Sequence, residues 1–266
     1  MEFLHRTWAE IDVDALIHNF GIIKKEAAGT KIMAVVKADA YGHSARNVAP
    51  LLEAEGANAF AVSNIEEAVT LRGCGITKPI LILGYTPVSM ASQLYINDIT
   101  QSVYSPEYAA ALSKKATADK VRIKIHIKLD TGMSRIGFDC RDNSLSGIDD
   151  AIAAARLPGF DFGGIFTHFA VSDRTPQEED GFTAAQYSRF IAAKERFIKA
   201  GLTPKICHCC NSAAFCLDTD KHLDMCRPGI ILYGLTPSSG LKLKEDFIPA
   251  MTVKSVVSMV KTVKKG

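Results

Sequence analysis

Residues 31–43 read KIMAVVKADAYGH, in which an apolar run of the strand type ends at Lys37 and passes into a polar turn. Desolvation disfavours the ammonium form of a lysine, and the neutral amine condenses with an aldehyde to give a Schiff base. Lys37 is therefore a candidate for holding an aldehyde cofactor. The alternative is that its side chain extends from the strand end into solvent. The residue types at the other strand ends decide between the two.

Apolar runs of this kind recur along the chain, and amphipathic stretches separate them. Eight strands are predicted over residues 31–36, 59–62, 80–83, 99–103, 121–129, 162–166, 206–210 and 225–232. Helices are predicted over residues 45–54, 65–72, 106–116, 146–155 and 183–200. This alternation is typical of parallel sheets, and eight units favour an α/β fold of the (β/α)8 TIM-barrel type. A doubly wound sheet is the alternative, although no glycine-rich dinucleotide fingerprint follows the first strand.

The two ends of the sequence differ from this alternating pattern. Asp12 is predicted to cap a helix that precedes the first strand, because apolar residues then recur with helical spacing as far as Lys25. Residues 251–263 alternate apolar and polar side chains with a period near two, which predicts an antiparallel strand. We expect a barrel domain over residues 1–240 and the start of a β domain over 241–266. That second domain is expected to be incomplete, since one strand cannot form a stable domain.

Composition favours a small-molecule partner. Hydrophobic residues make up 47% and charged residues 23% of the chain, and the formal net charge is +2. This charge gives no electrostatic case for nucleic acid or an anionic membrane. Without an apolar signal-peptide core near the start or a long apolar run, a cytoplasmic protein is expected.

Seven cysteines are present, mostly inside apolar runs, which is typical of reduced buried thiols. The run Cys207-His208-Cys209-Cys210 suggests zinc as an alternative. Consecutive strand residues point to opposite faces, however, so at most two of these side chains share a face. No second well-spaced pair completes a tetrahedral set, and no metal site is predicted.

Charged and polar residues stand at five predicted strand ends of the barrel, where barrel enzymes carry their chemistry. They are Lys37, Arg135, His168, the pair Asn211-Ser212, and Arg227. Each has a structural alternative: a surface ion pair for Arg135, core packing for His168 and a helix cap for the Asn211-Ser212 pair. Their occurrence together at strand ends favours a site.

A phosphate subsite is predicted after the last two strands. Ser212 is the predicted N-cap of a helix over residues 213–217, which would present a hydroxyl and backbone N–H groups to an anion. Gly229 allows a second backbone segment to approach the same anion. An imine-forming lysine beside a phosphate site suggests pyridoxal 5′-phosphate.

Five motifs together resemble alanine racemase in order and spacing. They are AVVKADAYGH (34–43), KLDTGMSRIG (128–137), THFA (167–170), NSAA (211–214) and RPGI (227–230), the last followed by Tyr233-Gly234. The resemblance runs from Trp8 to the end of the chain.

The resemblance implies a role for each matching position. Lys37 would hold pyridoxal phosphate as a Schiff base and then act as the base on one face of the substrate. Residues expected to bind the cofactor are Lys37, Tyr41, Arg135, His168, Asn211, Ser212, Arg227, Gly229, Ile230 and Tyr233. Arg135 matches the arginine that contacts the phenolic oxygen of the cofactor, and Arg227 matches the one that faces the pyridine nitrogen. Because arginine keeps its proton, that nitrogen would stay unprotonated.

Two further positions lie behind these residues in the resemblance. His208 matches a histidine in the polar network around Arg227, with core packing as the alternative. Lys128 matches a lysine that carries a carbamate in some members of the family and orients the arginine corresponding to Arg135.

The expected reaction is racemisation of a small amino acid, L-alanine to D-alanine for peptidoglycan or a related substrate such as serine. Racemisation needs an acid/base group on each face of Cα. In the family the second base is a tyrosine of the C-terminal β domain of the other subunit of a homodimer, and no tyrosine follows Tyr233 in these 266 residues. This chain alone is therefore expected to be inactive or very weak.

Two other functions remain open from the sequence. The first is a single-domain protein that binds pyridoxal phosphate without catalysis, which the strand predicted after Pro249 disfavours. The second is a decarboxylase or D-amino-acid lyase on the same fold, which Arg227 and the absence of a metal-ligand set disfavour.

Overall fold

The computed structural model describes residues 6–174, 181–239 and 245–266. Eight parallel strands form a nearly closed barrel: β2 (Lys31–Val35), β3 (Ala59–Val62), β4 (Ile80–Ile82), β5 (Ile99–Val103), β6 (Ile123–Asp130), β8 (Phe160–Phe166), β9 (Ile206–His208) and β10 (Met225–Cys226). The short strand β7 (Phe138–Asp139) pairs with the end of β6. The predicted (β/α)8 barrel is thereby confirmed.

Helices cover the outside of the barrel between consecutive strands. They are α1 (Val13–Ala27), α3 (Ala45–Ala54), α4 (Ile65–Gly73), α5 (Ala91–Ile96), α6 (Pro106–Ala118), α7 (Ile148–Ala155), α8 (Phe182–Lys199) and α9 (Ser212–Leu217). The short segment α2 (Lys37–Tyr41) follows β2 and has left-handed backbone angles. Asp12 caps α1 as predicted, since its side chain accepts a hydrogen bond of 2.9 Å from the Ala15 N–H.

The core has two layers, because side chains along each strand alternate between the barrel interior and the helices. A small interior cluster comprises Met33, Val35, Ala59, Ala61, Leu81 and Met225. A much larger cluster lies between the strands and the helices and includes Phe20, Phe60 and Phe197. Both faces of β2–β4 are therefore buried, which explains why the sequence shows continuous apolar runs there.

The barrel closes where β10 pairs with β2, in the register Met225↔Lys31 and Cys226↔Ile32. Between β9 and β10 the contact continues as two backbone hydrogen bonds, from Arg227 to Cys210 and from Asp224 to Cys207. The predicted strand over residues 225–232 is wrong beyond Cys226. Pro228 has no N–H to extend the ladder, and the chain turns into a 3-10 helix, Ile230–Tyr233.

A second, two-stranded sheet lies outside the barrel. Strand β1 (Thr7–Ile11) pairs antiparallel with β11 (Met251–Ser255), in the register Thr7↔Ser255 to Ile11↔Met251. The predicted strand over residues 251–263 is thus confirmed in orientation but ends at Ser255. The predicted domain boundary at 240/241 falls within residues 240–244, outside the described residues. Among the helices of the described ranges, none is long and apolar enough to cross a membrane.

Candidate active site

A cavity of about 490 Å³ opens at the carboxyl ends of the barrel strands. This volume is typical of small-molecule sites. The predicted site residues that line it are Lys37, Tyr41, Lys128, Arg135, His168, Asn211, Ser212, Arg227, Gly229 and Ile230. Residues from six separate chain segments therefore meet in one cavity, as expected for the active end of a barrel.

Lys37 stands on a strained turn. The four residues after it have left-handed backbone angles, with φ of 52°, 52°, 55° and 53° for Ala38, Asp39, Ala40 and Tyr41. This conformation costs a non-glycine residue roughly 1–2 kcal/mol. Gly42, at φ 86°, ends the turn. Strain of this kind persists only where the surrounding structure holds it, and such segments cluster at functional sites.

The predicted phosphate subsite is made by hydroxyl groups and a close backbone approach. The Ser212 hydroxyl accepts a hydrogen bond of 2.9 Å from the Gly229 N–H. A Cβ atom at Gly229 would lie 3.1 Å from the Tyr41 hydroxyl and 3.4 Å from the Val35 Cβ, so only glycine keeps this space open. The predicted cap is corrected: Asn211 caps α9, since its side chain accepts from the Ala214 N–H at 3.1 Å. Ser212 is thereby free to bind Gly229.

The loop after β6 presents Arg135. The carboxylate of Asp130 accepts hydrogen bonds of 3.0 Å from the N–H groups of Gly132 and Ser134, and these bonds set the curvature of the loop. Gly137 then returns against the strand, where a Cβ atom would lie 2.5 Å from the Asp130 nitrogen. The motif residues on both sides of Arg135 thus serve to place an exposed guanidinium at the cavity.

Arg227 is buried on the opposite side of the cavity, with 4% of its surface exposed. Its guanidinium donates to the carbonyl oxygens of Thr167 at 2.8 Å and Cys209 at 3.0 Å, and to Nδ1 of His208 at 2.9 Å. None of these three acceptors is anionic. Burial lowers the pKa of Arg227, yet a guanidinium keeps its charge near neutral pH.

A pair of histidines extends this network into the barrel. Because Arg227 can only donate, His208 accepts at Nδ1 and carries its proton at Nε2, from which it donates to Nδ1 of His126 at 2.9 Å. Burial, together with the charge of Arg227, lowers the pKa of His126 to about 4 and that of His208 well below its ordinary value. Both rings are therefore neutral at pH 7.

His168 faces the same guanidinium. Its Nδ1 lies 3.5 Å from Nη2 of Arg227. Burial and then the charge of Arg227 lower the pKa of His168 well below its ordinary value. The predicted placement of His168 and His208 around Arg227 agrees with this geometry.

Lys128 lies beneath the cavity with 4% of its surface exposed. Burial, followed by the charges of Arg135 and Arg227, lowers the pKa of Lys128 to about 7. Its Nζ and the Arg227 Cζ each lie 5.7 Å from the ring centroid of Phe166, which stacks on His208 at 4.9 Å. Burial beside two arginines thus favours the neutral amine of Lys128, and Lys128 and Arg227 both contact the ring of Phe166.

Tyr233 lies behind Tyr41, and its role in cofactor binding stays a prediction. It was expected among the cofactor-binding residues, but its hydroxyl donates to the Val35 carbonyl at 3.0 Å and its ring lies 5.3 Å from that of Tyr41. The Tyr233 side chain is buried, and its ring packs against that of Tyr41.

The cysteine run folds as a thiol cluster. Cys209 and Cys210 are both buried, and both thiols donate to the Lys221 carbonyl, at 3.2 and 3.1 Å. The two adjacent side chains converge because β9 ends at His208, so strand alternation no longer applies. No group of three or more metal-ligating side chains is found within residues 6–174, 181–239 and 245–266.

Several residues in and around the cavity are absent from the sequence-based set, and three of them illustrate why. Phe166 and Ser63 line the cavity, and His126 extends the arginine network. His126 and Lys128 share one face of β6 at alternate positions, and this period could have indicated the histidine. Nothing in the sequence distinguishes Phe166 or Ser63 from other residues at strand ends.

Fold and site together define a (β/α)8 barrel protein with a cationic small-molecule cavity at its strand ends. The family model described as "Alanine racemase, N-terminal domain" matches residues 11–237. The alanine racemase of Clostridium tetani is 42% identical over 264 residues, which cover 99% of this chain and 67% of that protein.

Solved structures agree with this match. Alanine racemase of Clostridium difficile 630 has a TM-score of 0.88 at 38% identity, covering 99% of this chain and 68% of that one. A histidine racemase from Leuconostoc mesenteroides has a TM-score of 0.83 at 28% identity, covering 98% and 68%. The chain belongs to the alanine racemase family, a family of isomerases, and spans about two thirds of the length of these relatives.

The family implies pyridoxal phosphate, and the described residues fit that group. A primary amine, Lys37, lies in the same cavity as the hydroxyls of Tyr41 and Ser212. The space above Gly229 is one that any Cβ would fill. The cations Arg135 and Arg227 suit an anionic ligand. An aldehyde that carries a phosphate matches this donor set.

Proposed function

We propose that this chain forms the cofactor-binding barrel of an alanine racemase and binds pyridoxal 5′-phosphate covalently at Lys37. The observation that carries the proposal is the convergence of Lys37, Arg135, Arg227 and the Ser212–Gly229 contact on one cavity. The family assignment supports the reaction type. When bound, the cofactor supplies an electron-withdrawing ring that weakens the Cα–H bond of an amino acid attached to it.

The residues of the chain divide the remaining work. The Nζ atom of Lys37 would remove or return the proton on one face of the substrate Cα. Tyr41 and Ser212 bind the phosphate and hold the ring in register. Arg227 would hold the cofactor at its ring nitrogen and would leave that nitrogen unprotonated, because a guanidinium keeps its own protons and the protein partners of Arg227 are neutral. A ring without that extra charge withdraws electrons less strongly, which favours simple return of the proton over side reactions.

The second base is proposed to come from outside this set of residues. No described tyrosine other than Tyr41 lines the cavity, and we assign Tyr41 to the proposed phosphate subsite. We therefore propose that the full-length racemase is a homodimer in which a partner subunit supplies the opposite acid/base group, and that two copies of these 266 residues do not supply it. On this account the 266-residue chain tested alone binds the cofactor but racemises alanine very slowly.

Lys128 is proposed to carry a carbamate. A neutral amine is the form that reacts with carbon dioxide, and the pKa of Lys128, about 7, makes that form available. The carbamate would place an anion beside Arg135 and would orient that guanidinium.

The seven free cysteines favour a reducing compartment such as the cytoplasm.

Alanine is the proposed substrate, and its D-enantiomer would serve peptidoglycan synthesis. The similarity to a histidine racemase supports a broader range as the second candidate, with serine also expected to enter the cavity.

Deuterium incorporation tests the reaction. The chain with pyridoxal phosphate is incubated with L-alanine, L-serine and L-histidine in deuterated water, followed by chiral analysis. Formation of D-alanine is expected to be very slow or absent, since Lys37 alone serves only one face of Cα. Turnover to D-alanine at the rate of a two-domain racemase would contradict the proposed second base.

A further inference from the structure

The turn that carries Lys37 is held from outside by one carboxylate, that of Glu67. Glu67 lies in the first turn of α4, after the next strand of the barrel. Its Oε1 accepts a hydrogen bond of 2.8 Å from the Ala38 N–H, and its Oε2 accepts one of 2.7 Å from the Ser63 N–H. Ala38 follows Lys37 directly, and Ser63 lines the cavity. A single anion thus joins the carboxyl ends of β2 and β3.

Glu67 does not make the contact that its position in α4 would lead one to expect. Asn64 caps the helix through a 2.9 Å bond from the Glu67 N–H to its side chain. A glutamate three residues after such a cap usually returns to the backbone N–H of the capping residue itself. Here the carboxylate binds Ser63 and Ala38 instead, so its two bonds connect elements and do not close the helix end.

The Ala38 N–H needs such a partner. The first N–H groups of a helical segment have no acceptor within that segment, and Ala38 is the second residue of α2. Within the turn, other bonds begin later: Ala40 donates to the Val36 carbonyl and Gly42 to that of Ala38. The side chain of Asp39 accepts from the Ala45 N–H at 2.7 Å and anchors the far end. Glu67 therefore holds the end of the turn that bears Lys37.

We infer that Glu67 is a positioning residue for Lys37: its carboxylate fixes the left-handed turn so that the lysine amine faces the bound aldehyde. This inference rests on the proposed function, in which Lys37 carries the cofactor. Glu67 is not a lining residue of the cavity and acts only through the backbone of Ala38 and Ser63. Bonds to an ionised acceptor are the stronger class of hydrogen bond, which suits a segment with unfavourable backbone angles.

The experiment measures how fast Lys37 captures pyridoxal 5′-phosphate. Cofactor-free chain is mixed with pyridoxal 5′-phosphate, samples are reduced with borohydride at intervals, and the adduct on the Lys37 peptide is quantified by mass spectrometry. In Glu67→Gln one of the two N–H groups faces an amide N–H, so one bond is lost. The rate of adduct formation is expected to fall about tenfold, which corresponds to about 1.4 kcal/mol.

Two matched controls separate positioning from stability. Glu66→Gln makes the same change on the exposed neighbouring residue of the same helical turn and is expected to react within about twofold of the unaltered chain. Asn64→Ala removes the cap of α4 and lowers its stability, but keeps the carboxylate of Glu67. It is expected to lower the melting temperature without the tenfold loss of rate.

Each outcome has one meaning. An unaltered rate in Glu67→Gln, or an equal loss in Asn64→Ala, overturns the inference. Absence of any adduct at Lys37 in the unaltered chain overturns the proposed function instead. If Glu67→Gln does not fold, Glu67→Asp replaces it, because the shorter side chain keeps the charge and withdraws the oxygens. The same tenfold criterion then applies.

Discussion

Lys37 and Arg227 face the same cavity, but backbone geometry holds the first and buried side chains hold the second. Lys37 is partly exposed on a left-handed turn, whose hydrogen bonds run to backbone and carboxylate groups. Arg227 lies in the core, bound to two carbonyl oxygens and a histidine. A group that must form and break a covalent bond needs freedom at its side chain, whereas a fixed charge needs a rigid one. We call the left-handed turn that bears Lys37 the Lys37 wall, and Arg227 with His168 and His208 the Arg227 wall. Substitution in the Lys37 wall should chiefly change cofactor binding, and substitution in the Arg227 wall should chiefly change stability.

The largest expected effect is chemical and falls on the Lys37 wall. Lys37→Ala should abolish the visible absorbance of the lysine-bound cofactor, because no amine remains at that position. Its free energy of unfolding should change by less than about 0.5 kcal/mol, since a partly exposed side chain is lost. Absorbance titration with pyridoxal phosphate and urea denaturation measure the two quantities. Retention of the visible band would refute the assignment of Lys37.

The Arg227 wall should show the reverse pattern. Arg227→Leu leaves three buried acceptors without a donor, each worth about 1–3 kcal/mol, so a loss of at least ~3 kcal/mol in unfolding free energy is expected. Arg135→Leu is the control, because this arginine is exposed and should cost less than about 0.5 kcal/mol. Urea midpoints compare the two variants. Equal losses would show that Arg227 is not a structural centre of its wall.

Acid should weaken the same wall through its histidines. Burial lowers the pKa of His126 to about 4 in the folded chain, against an ordinary value near 6.5. The unfolded chain therefore binds a proton that the folded chain does not between these values, and stability falls as the pH drops from 7 towards 4. One such histidine accounts for roughly 3 kcal/mol over that window.

His126→Gln isolates this contribution, since glutamine does not titrate. Urea denaturation at pH 7, 6, 5 and 4.5 should give a shallower loss of stability in the variant than in the unaltered chain. Parallel curves for the two proteins would exclude His126 as a source of the acid sensitivity.

The smallest effect concerns the helix cap at Asn211, which lines the cavity. Asn211→Ala removes the cap of α9 and should cost about 1 kcal/mol. Asn211→Asp keeps an acceptor for the Ala214 N–H and should stay within about 0.5 kcal/mol of the unaltered chain. Thermal unfolding distinguishes these values, and a harmless Asn211→Ala would return the capping role to Ser212.

The two walls also differ in how far the sequence predicts them. The strand ends of the Arg227 wall, with His168 and His208, follow from residue types at predicted positions, because buried polar residues after apolar runs are unusual. In the Lys37 wall the sequence indicates Lys37 itself but not the left-handed turn after it. Left-handed backbone angles are expected at glycine, and Ala38, Asp39 and Ala40 are not glycines. Glu67 resembles an ordinary residue of a helix start in the sequence. Its contact with Ala38 depends on the register of β2 and β3.

Strand limits show the same division. Runs such as Ala59–Val62 and Ile99–Val103 were predicted to the residue, because both faces of these strands are buried and polar residues bound them. The strand predicted over residues 225–232 was too long, since Pro228 and Gly229 redirect the backbone in a run that stays apolar. Apolar residues indicate that a segment is buried. Whether its backbone N–H and C=O groups can pair indicates where the strand ends.

Mapping the reduced cofactor adduct tests directly whether Lys37 is the lysine that holds the cofactor in this cavity. The chain is incubated with one equivalent of pyridoxal 5′-phosphate, reduced with borohydride, digested and mapped by mass spectrometry. We expect a phosphopyridoxyl group on the peptide that contains Lys37 and on no other lysine in comparable amount. An adduct spread over surface lysines, or concentrated at Lys128, would contradict it.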